Sequence, residues 1–103
     1  MQIPETINVL GFTYKIIQHE TFNSKLAIDG KVCSGVCDLW GKEIHLSIGE
    51  RDEQFIMQTL VHEIVHIIER TFDGHNEHTN LTEWQIEMIA TGITSVIFNN
   101  RIQ

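Results

Sequence analysis

The chain has 103 residues, which is enough for one domain and too few for two. Hydrophobic residues make up 42% of it and charged residues 20%, the usage of a globular protein and not of a disordered one. Seven basic against fourteen acidic residues give a net charge of −7, which repels phosphate backbones and excludes nucleic acid as a favourable partner. We therefore expect a single domain over residues 1–103, suited to a divalent cation or a cationic peptide.

No stretch of the sequence predicts export or membrane insertion. Residues 1–6 lack the basic region and apolar core of a signal peptide, and no apolar run approaches the roughly 20 residues that span a bilayer. Cys33 and Cys37 would lie about 13 Å apart in an extended strand, too far for a disulfide. We expect a cytoplasmic protein with two reduced thiols and no membrane partner.

The first half of the chain favours β-structure. Gly11 and the Asp29-Gly30 pair are turn signals between runs of β-branched and aromatic residues, and a further turn is predicted near Gly41. In the last run, apolar residues alternate with polar ones, which is typical of a half-buried strand with His45 on its polar side. The candidate strands are residues 7–10, 13–18, 26–28, 31–37 and 43–48.

The second half favours two helices. From residue 52 to residue 72 the apolar positions recur at steps of three and four, as on an amphipathic helix. A second helix is predicted from Thr82 to about residue 99, with Thr82 and Gln85 as a capping box. Strands followed by two helices indicate an α+β domain, with a small antiparallel-rich sheet packed on two long helices.

The sequence His62-Glu63-Ile64-Val65-His66 lies inside the first predicted helix. Residues four apart share one face of a helix, so both imidazoles can converge on one ion. Glu63 is rotated by roughly 100° from His62, near enough to reach a water on that ion without binding the ion itself. Chance supplies roughly 0.03 such patterns in a chain of this composition. A metal-free alternative would bury these polar groups among isoleucines without partners, which is costly.

A catalytic zinc ion has three protein ligands and one open position. The position where metzincins carry their third histidine is Phe72 in this chain. His75 and His78 follow in the polar connection, while Glu83 and Glu87 lie four apart on one face of the second helix. Such an acidic pair suits one ligand and one carboxylate that accepts the other N–H of a ligating histidine. On spacing alone the third ligand stays open among these four residues.

Several stretches of the chain resemble small HExxH proteins of bacterial and prophage genomes. Those proteins are relatives of the ImmA/IrrE-type metallopeptidases and, more broadly, of the gluzincins, and the likeness covers nearly the whole chain. Its specific elements are the HExxH pattern and the acidic pair on the second helix. The stretches are residues 9–14 (VLGFTY), 35–38 (GVCD), 44–46 (IHL), 59–66 (TLVHEIVH) and 81–83 (LTE), with the ending over 86–99.

The resemblance implies a minimal zincin-like domain with a glutamate as third ligand. In gluzincins that glutamate lies on a later helix, and an acid four residues on orients a ligating histidine. By this likeness Glu83 is the ligand and Glu87 the orienting carboxylate, although gluzincins carry Asp where this chain has Glu87. A weaker resemblance to SprT-like proteases would make His78 the third ligand, but no matching His-Gly motif follows it.

These residues predict a zinc-dependent metallopeptidase for a peptide or protein substrate, with Glu63 as general base on a zinc-bound water. A metal-binding regulatory or adaptor module without turnover, and a plain α+β interaction domain without metal, are the alternatives. By family analogy, the substrate would add as a strand to a sheet edge within residues 32–48. The oxyanion donor stays open among Tyr14, His75 and His78, and the sequence does not fix the oligomeric state.

Overall fold

The structure is a computed structural model and describes residues 3–73 and 81–100. In these residues, strands fill the first half of the chain and two long helices fill the second, which confirms the predicted α+β class. The elements are β1 (Thr6–Val9), β2 (Phe12–His19), a 3₁₀ turn (Ser24–Leu26), β3 (Ala27–Ile28), β4 (Lys31–Val32), β5 (Gly35–Asp38), β6 (Glu43–Ser47), α1 (Glu53–Asp73) and α2 (Glu83–Asn100).

Four of the strands form one mixed sheet in the order β1-β2-β6-β5. The two outer pairings are antiparallel, and the central pairing of β2 with β6 is parallel. Strands β3 and β4 form a separate antiparallel hairpin. Strand β5 is therefore an edge strand of this sheet. Of the strands in the sheet, it contacts α1 most extensively.

Two of the predicted turns are two-residue hairpins with the backbone that such turns require. Leu10 and Gly11 have φ values of +52° and +90°, and Asp29 and Gly30 have values of +51° and +79°. Positive φ at both central residues matches the right-handed twist of the flanking strands. The expected strand over residues 31–37 is wrong in one respect, because it is two strands, β4 and β5, which belong to different sheets.

Both helices begin at side chains that cap their free N–H groups. The Asp52 carboxylate accepts a hydrogen bond of 2.7 Å from the Phe55 N–H at the start of α1. At the start of α2 the Thr82 hydroxyl accepts from the Gln85 N–H at 3.1 Å, and the Gln85 side chain accepts from the Thr82 N–H at 2.9 Å. The predicted capping box is confirmed, and it fixes the position at which Glu83 enters the helix.

Helix α1 lies between the sheet and α2 and contacts both. Leu60 and Ile67 are buried as its apolar stripe predicts, whereas Phe55 and Ile68 are exposed and Val61 and other residues take their place in the core. A helix with two covered faces buries positions outside a single stripe. None of the helices in residues 3–73 and 81–100 combines the length and apolarity needed to cross a membrane.

The prediction that His45 lies on an open, polar side of its strand is wrong. His45 is only 4% exposed, and both of its ring nitrogens have partners. Its Nδ1 lies 2.8 Å from Nε2 of His19, and its Nε2 lies 3.0 Å from a carboxylate oxygen of Glu43. The 3₁₀ turn, with buried Leu26, contacts β6 and helps to close this region, a contact that alternation along one strand does not reveal.

Candidate metal centre

The two helices bring His62, His66 and Glu83 together, and one donor atom from each lies within 4.8 Å of the others. Nε2 of His66 is 2.8 Å from Oε1 of Glu83, and Nε2 of His62 is 3.3 Å from Oε2 of the same carboxylate. Ligands of a tetrahedral zinc ion lie about 3.3 Å apart, given metal–ligand bonds of about 2.0–2.1 Å. The spacing of these three groups therefore fits one small cation.

The other nitrogen of His62 fixes the tautomer of its ring. Nδ1 lies 2.7 Å from Oε2 of Glu87, and a carboxylate can only accept, so Nδ1 carries the proton. A neutral ring with this tautomer presents the lone pair of Nε2 to the Glu83 carboxylate. Two acceptors at 3.3 Å repel each other unless a cation, either a proton or a metal ion, lies between them. A positive charge between Nε2 of His62 and the Glu83 carboxylate would replace this repulsion by attraction.

Glu87 is itself held in place by polar side chains. The Gln58 amide donates to Oε1 of Glu87 at 2.7 Å and also to the Thr91 hydroxyl at 3.0 Å. Partial burial favours the protonated form of Glu87, but the hydrogen bonds from Gln58 and His62 outweigh it and lower the pKa of this carboxyl. Glu87 is thus an ionised acceptor that orients His62, the arrangement that tunes many ligating histidines.

His66 has an unsatisfied nitrogen, Nδ1. This atom is buried and has no hydrogen-bond partner among the described residues, although a Glu69 carboxylate oxygen lies 3.9 Å away. Burial lowers the pKa of His66, partly offset by the nearby Glu83 carboxylate, so the ring favours its neutral, metal-binding form. With a cation at Nε2, the ring proton would move to Nδ1 and face Glu69.

Glu63 lines the same cleft. The residue is 6% exposed, and burial raises its pKa, an effect opposed by His62 and by a hydrogen bond from Cys37. A carboxyl with a raised pKa can accept a proton and later release it, which is the property of a general base that also acts as an acid. Glu63 is not part of the three-residue donor group.

The site opens into a cleft of about 650 Å³ between α1, the start of α2 and the strand region. Several lining residues were not predicted from the sequence. Gln58 and Arg70 lie one helical turn before His62 and one turn after His66, so the i, i+4 rule could have indicated them. Two more of them, Gly35 and Cys37, come from β5, whose position against α1 is set by the sheet and not by local sequence.

One other predicted candidate lies away from the site, and two are outside the described residues. Tyr14 is only 1% exposed and belongs to the apolar core, so the prediction that it is a possible oxyanion donor in the cleft is wrong. His75 and His78, the alternative third ligands and oxyanion donors, lie outside the described residues. Among the described candidates, Glu83 is the one that meets both histidines.

Among known proteins, the chain matches no protein-family model, no curated protein and no solved structure. The functional conclusion therefore depends on the residues of the site. Those residues supply two imidazoles, one carboxylate that faces both of them, one carboxylate that orients His62 and one buried acid beside them.

Proposed function

We propose that this chain is a zinc-dependent metallopeptidase in which His62, His66 and Glu83 hold the ion. The observation that carries the proposal is the unbalanced contact between Nε2 of His62 and the Glu83 carboxylate, which a cation would satisfy. Two histidines and one glutamate form a donor set that catalytic zinc uses, leaving a fourth position open. Glu83 is 72% exposed at its side chain, which leaves the ion accessible from the cleft.

Glu63 is the proposed general base. When bound, zinc would polarise the scissile carbonyl and lower the pKa of a bound water to about 7. Glu63 would take a proton from the attacking water and deliver it to the leaving amine. Burial supports both steps, because it raises the pKa of the Glu63 carboxyl toward the range in which a proton is readily gained and released.

The walls of the cleft support a peptide or protein as the proposed substrate. Strand β5 is the last strand in the sheet order and lines the cleft, so its outer edge is where a substrate strand would add. Apolar Ile28 and Phe55 are exposed and line the same cleft. A cytoplasmic location is part of the proposal and is supported by the two free thiols, Cys33 and Cys37.

The test separates metal binding from turnover. We expect Glu63→Gln to abolish cleavage of a random peptide library, because the amide cannot accept the water proton, and to keep one zinc ion per chain. The readouts are mass spectrometry of the library and elemental analysis of the protein. Glu50→Gln, which removes an exposed carboxylate from a loop outside the cleft lining, is the matched control and should leave both readouts unchanged.

Three results would contradict the proposal. Cleavage that survives in Glu63→Gln, with contaminating protease excluded, would show that this carboxylate is not the base. One zinc ion per chain without cleavage by the unmodified protein would instead indicate the metal-binding regulatory module. Absence of zinc, with melting unchanged by chelator, would select the metal-free interaction domain.

A further inference from the structure

The cleft runs along α1. Its lining residues on this helix extend from Phe55 at one end to Arg70 at the other, with His62 and His66 between them. At about 1.5 Å per residue of helix this stretch is roughly 22 Å long, which is the length of about six or seven residues of an extended peptide. A bound strand would therefore reach beyond the proposed metal centre and meet the walls at both ends of the cleft.

The β3–β4 hairpin lines the cleft at the Phe55 end of α1. The guanidinium of Arg51 lies over the Phe55 ring, 4.8 Å from its centroid, and Nε of Arg51 donates to the Ser47 hydroxyl at 3.4 Å. The Ser47 N–H donates in turn to the Ser34 carbonyl at 2.8 Å. Because Ser34 lies two residues after the end of β4, these contacts place the base of the hairpin near Phe55.

The register of the hairpin decides which of its side chains face the cleft. Ile28 pairs with Lys31, and Ala27 pairs with Val32. Directly opposed residues project from the same face of a two-stranded sheet, and neighbours along a strand project from opposite faces. Ile28 and Lys31 line the cleft, whereas Ala27 and Val32 do not. The hairpin thus turns one defined face toward the cleft, and Ile28 is the apolar side chain on that face.

The base of the hairpin is anchored, so this face is held in position. Leu26, just before β3, is only 1% exposed, and its 3₁₀ turn contacts both β5 and β6. The Cys33 N–H, just after β4, donates to the Leu26 carbonyl at 2.8 Å. Ile28 is two residues from this anchor and is 50% exposed, and Phe55 is 39% exposed. Two anchored apolar side chains are therefore open to a ligand at the same end of the cleft.

We infer that Ile28 and Phe55 are specificity-determining residues, which hold one bulky apolar side chain of the peptide between the hairpin and α1. Contact with a leucine, isoleucine, methionine or phenylalanine side chain would remove apolar surface of both residues from water, whereas a small or charged side chain would leave it hydrated. The inference rests on the proposed function, because the peptide that lies in the cleft is the proposed substrate.

The spacing along α1 gives the position of this side chain in the peptide. Phe55 lies about 13 Å along the helix axis from the point midway between His62 and His66, which is the length of about four residues of extended peptide. We therefore expect the apolar preference at one position, about four residues from the cleaved bond, and not at the bond itself.

The first experiment maps the cleaved bonds in a random peptide library by mass spectrometry. With the zinc-loaded wild-type protein we expect bulky apolar residues to be enriched at that one position. Ile28→Ser should remove the enrichment and raise KM by about 10-fold for a library peptide that carries such a residue, with kcat unchanged, because the contact is the same before and during the reaction. Val32→Ser is the matched control, since Val32 is 66% exposed on the other face of the same hairpin. It should leave both readouts unchanged.

The second experiment tests whether the two walls contact the same side chain. Phe55→Ser should remove the enrichment at the same position of the peptide as Ile28→Ser does. The double variant should raise KM by less than the product of the two single effects, because residues that share one contact are not independent. Effects at two different positions of the peptide, or single effects on KM that multiply, would overturn the inference.

A binding measurement distinguishes this inference from the proposed function. Immobilised, zinc-loaded Glu63→Gln is mixed with the same library, and the retained peptides are identified by mass spectrometry. Retention of peptides with a bulky apolar residue, lost on adding Ile28→Ser, would support the contact; if the wild-type protein then cleaved nothing, the peptidase alone would be refuted. Cleavage without a positional preference, or with one that Ile28→Ser leaves intact, would refute the role of Ile28 and leave the peptidase standing. Neither cleavage nor retention would refute both.

Discussion

The molecule contains two pairs of neighbouring histidines that differ in what their nitrogens face. The rings of His62 and His66 have centroids 4.9 Å apart, and those of His19 and His45 have centroids 5.1 Å apart. In the strand pair, Nε2 of His19 meets Nδ1 of His45 directly at 2.8 Å. In the helix pair, both Nε2 atoms face the Glu83 carboxylate instead of each other.

The difference arises from the secondary structure that carries each pair. Residues four apart on a helix project from one face in the same direction, so their ring tips converge on a point outside the helix. Residues on adjacent parallel strands lie side by side, so the rings of His19 and His45 meet edge to edge and a nitrogen of each pairs with the other. Proximity of two histidines is thus not a metal site, and a shared third donor is what separates the two pairs.

Zinc binding should show the largest difference between variants of the helix pair and variants of the strand pair. His66→Ala removes one of the three proposed ligands and should abolish stoichiometric zinc binding, whereas His19→Ala should keep one zinc ion per chain. Zinc at 100 times its dissociation constant stabilises by about 2.7 kcal/mol, so chelation should lower the Tm of a domain this small by roughly 10–20 °C. Elemental analysis and thermal melts with and without chelator give the measurement.

The chelator provides an internal check on that contrast. It should have no effect on the Tm of His66→Ala, because that variant holds no zinc to lose. A His66→Ala variant that keeps its zinc, or a His19→Ala variant that loses it, would reverse the assignment of the two pairs.

Replacing Glu87 should have a smaller effect on the helix pair. Glu87→Gln keeps the shape of the side chain but removes the charge that fixes the tautomer of His62. We expect zinc affinity to fall by about 10–100-fold, the usual cost of losing a partner of a ligating histidine. Competition with a chelating dye measures the affinity. Glu43→Gln, beside His45 in the strand pair, is the matched control and should leave zinc affinity unchanged.

Protonation of His19 should produce the smallest of these effects, and it tests the strand pair directly. Burial, and then the nearby His45 ring, lower the pKa of His19 below its ordinary value of 6.5. The unfolded chain therefore binds a proton at His19 more readily, so stability is present above pH 6.5 and is lost as the pH falls toward the lowered pKa. His19→Gln should reduce this loss.

The measurement is the free energy of unfolding against pH, made in the His66→Ala background so that zinc binding at the proposed site does not contribute. A pH dependence that is unchanged by His19→Gln would show that the strand pair does not titrate as a consequence of its burial.

Local patterns predicted the parts of this molecule that depend on neighbours in the chain. The capping box of Thr82 and Gln85, the Asp29-Gly30 turn and the shared face of His62 and His66 all follow from short-range geometry. The prediction of Glu83 as third ligand depended on the resemblance to gluzincins, because spacing alone also allowed His75, His78 and Glu87. The tertiary contact between the two helices is what places its carboxylate at both rings.

The errors and omissions concern contacts between distant segments. Alternation along β6 placed His45 toward solvent, but a 3₁₀ turn about twenty residues earlier in the chain contacts that strand. Gly35 and Cys37 attracted no prediction as site residues, because the register that sets β5 against α1 involves pairing with β6. Residues 31–37 have the composition of a strand throughout, so the sequence did not reveal that β4 and β5 belong to different sheets.

An anomalous-scattering map from crystals grown with zinc tests the central claim most directly. We expect one peak per chain, about 2.0–2.2 Å from Nε2 of His62, Nε2 of His66 and a carboxylate oxygen of Glu83. Nδ1 of His62 should still face Glu87 in that crystal. A peak at the His19–His45 pair, or no peak between α1 and α2, would contradict the assignment of the metal centre.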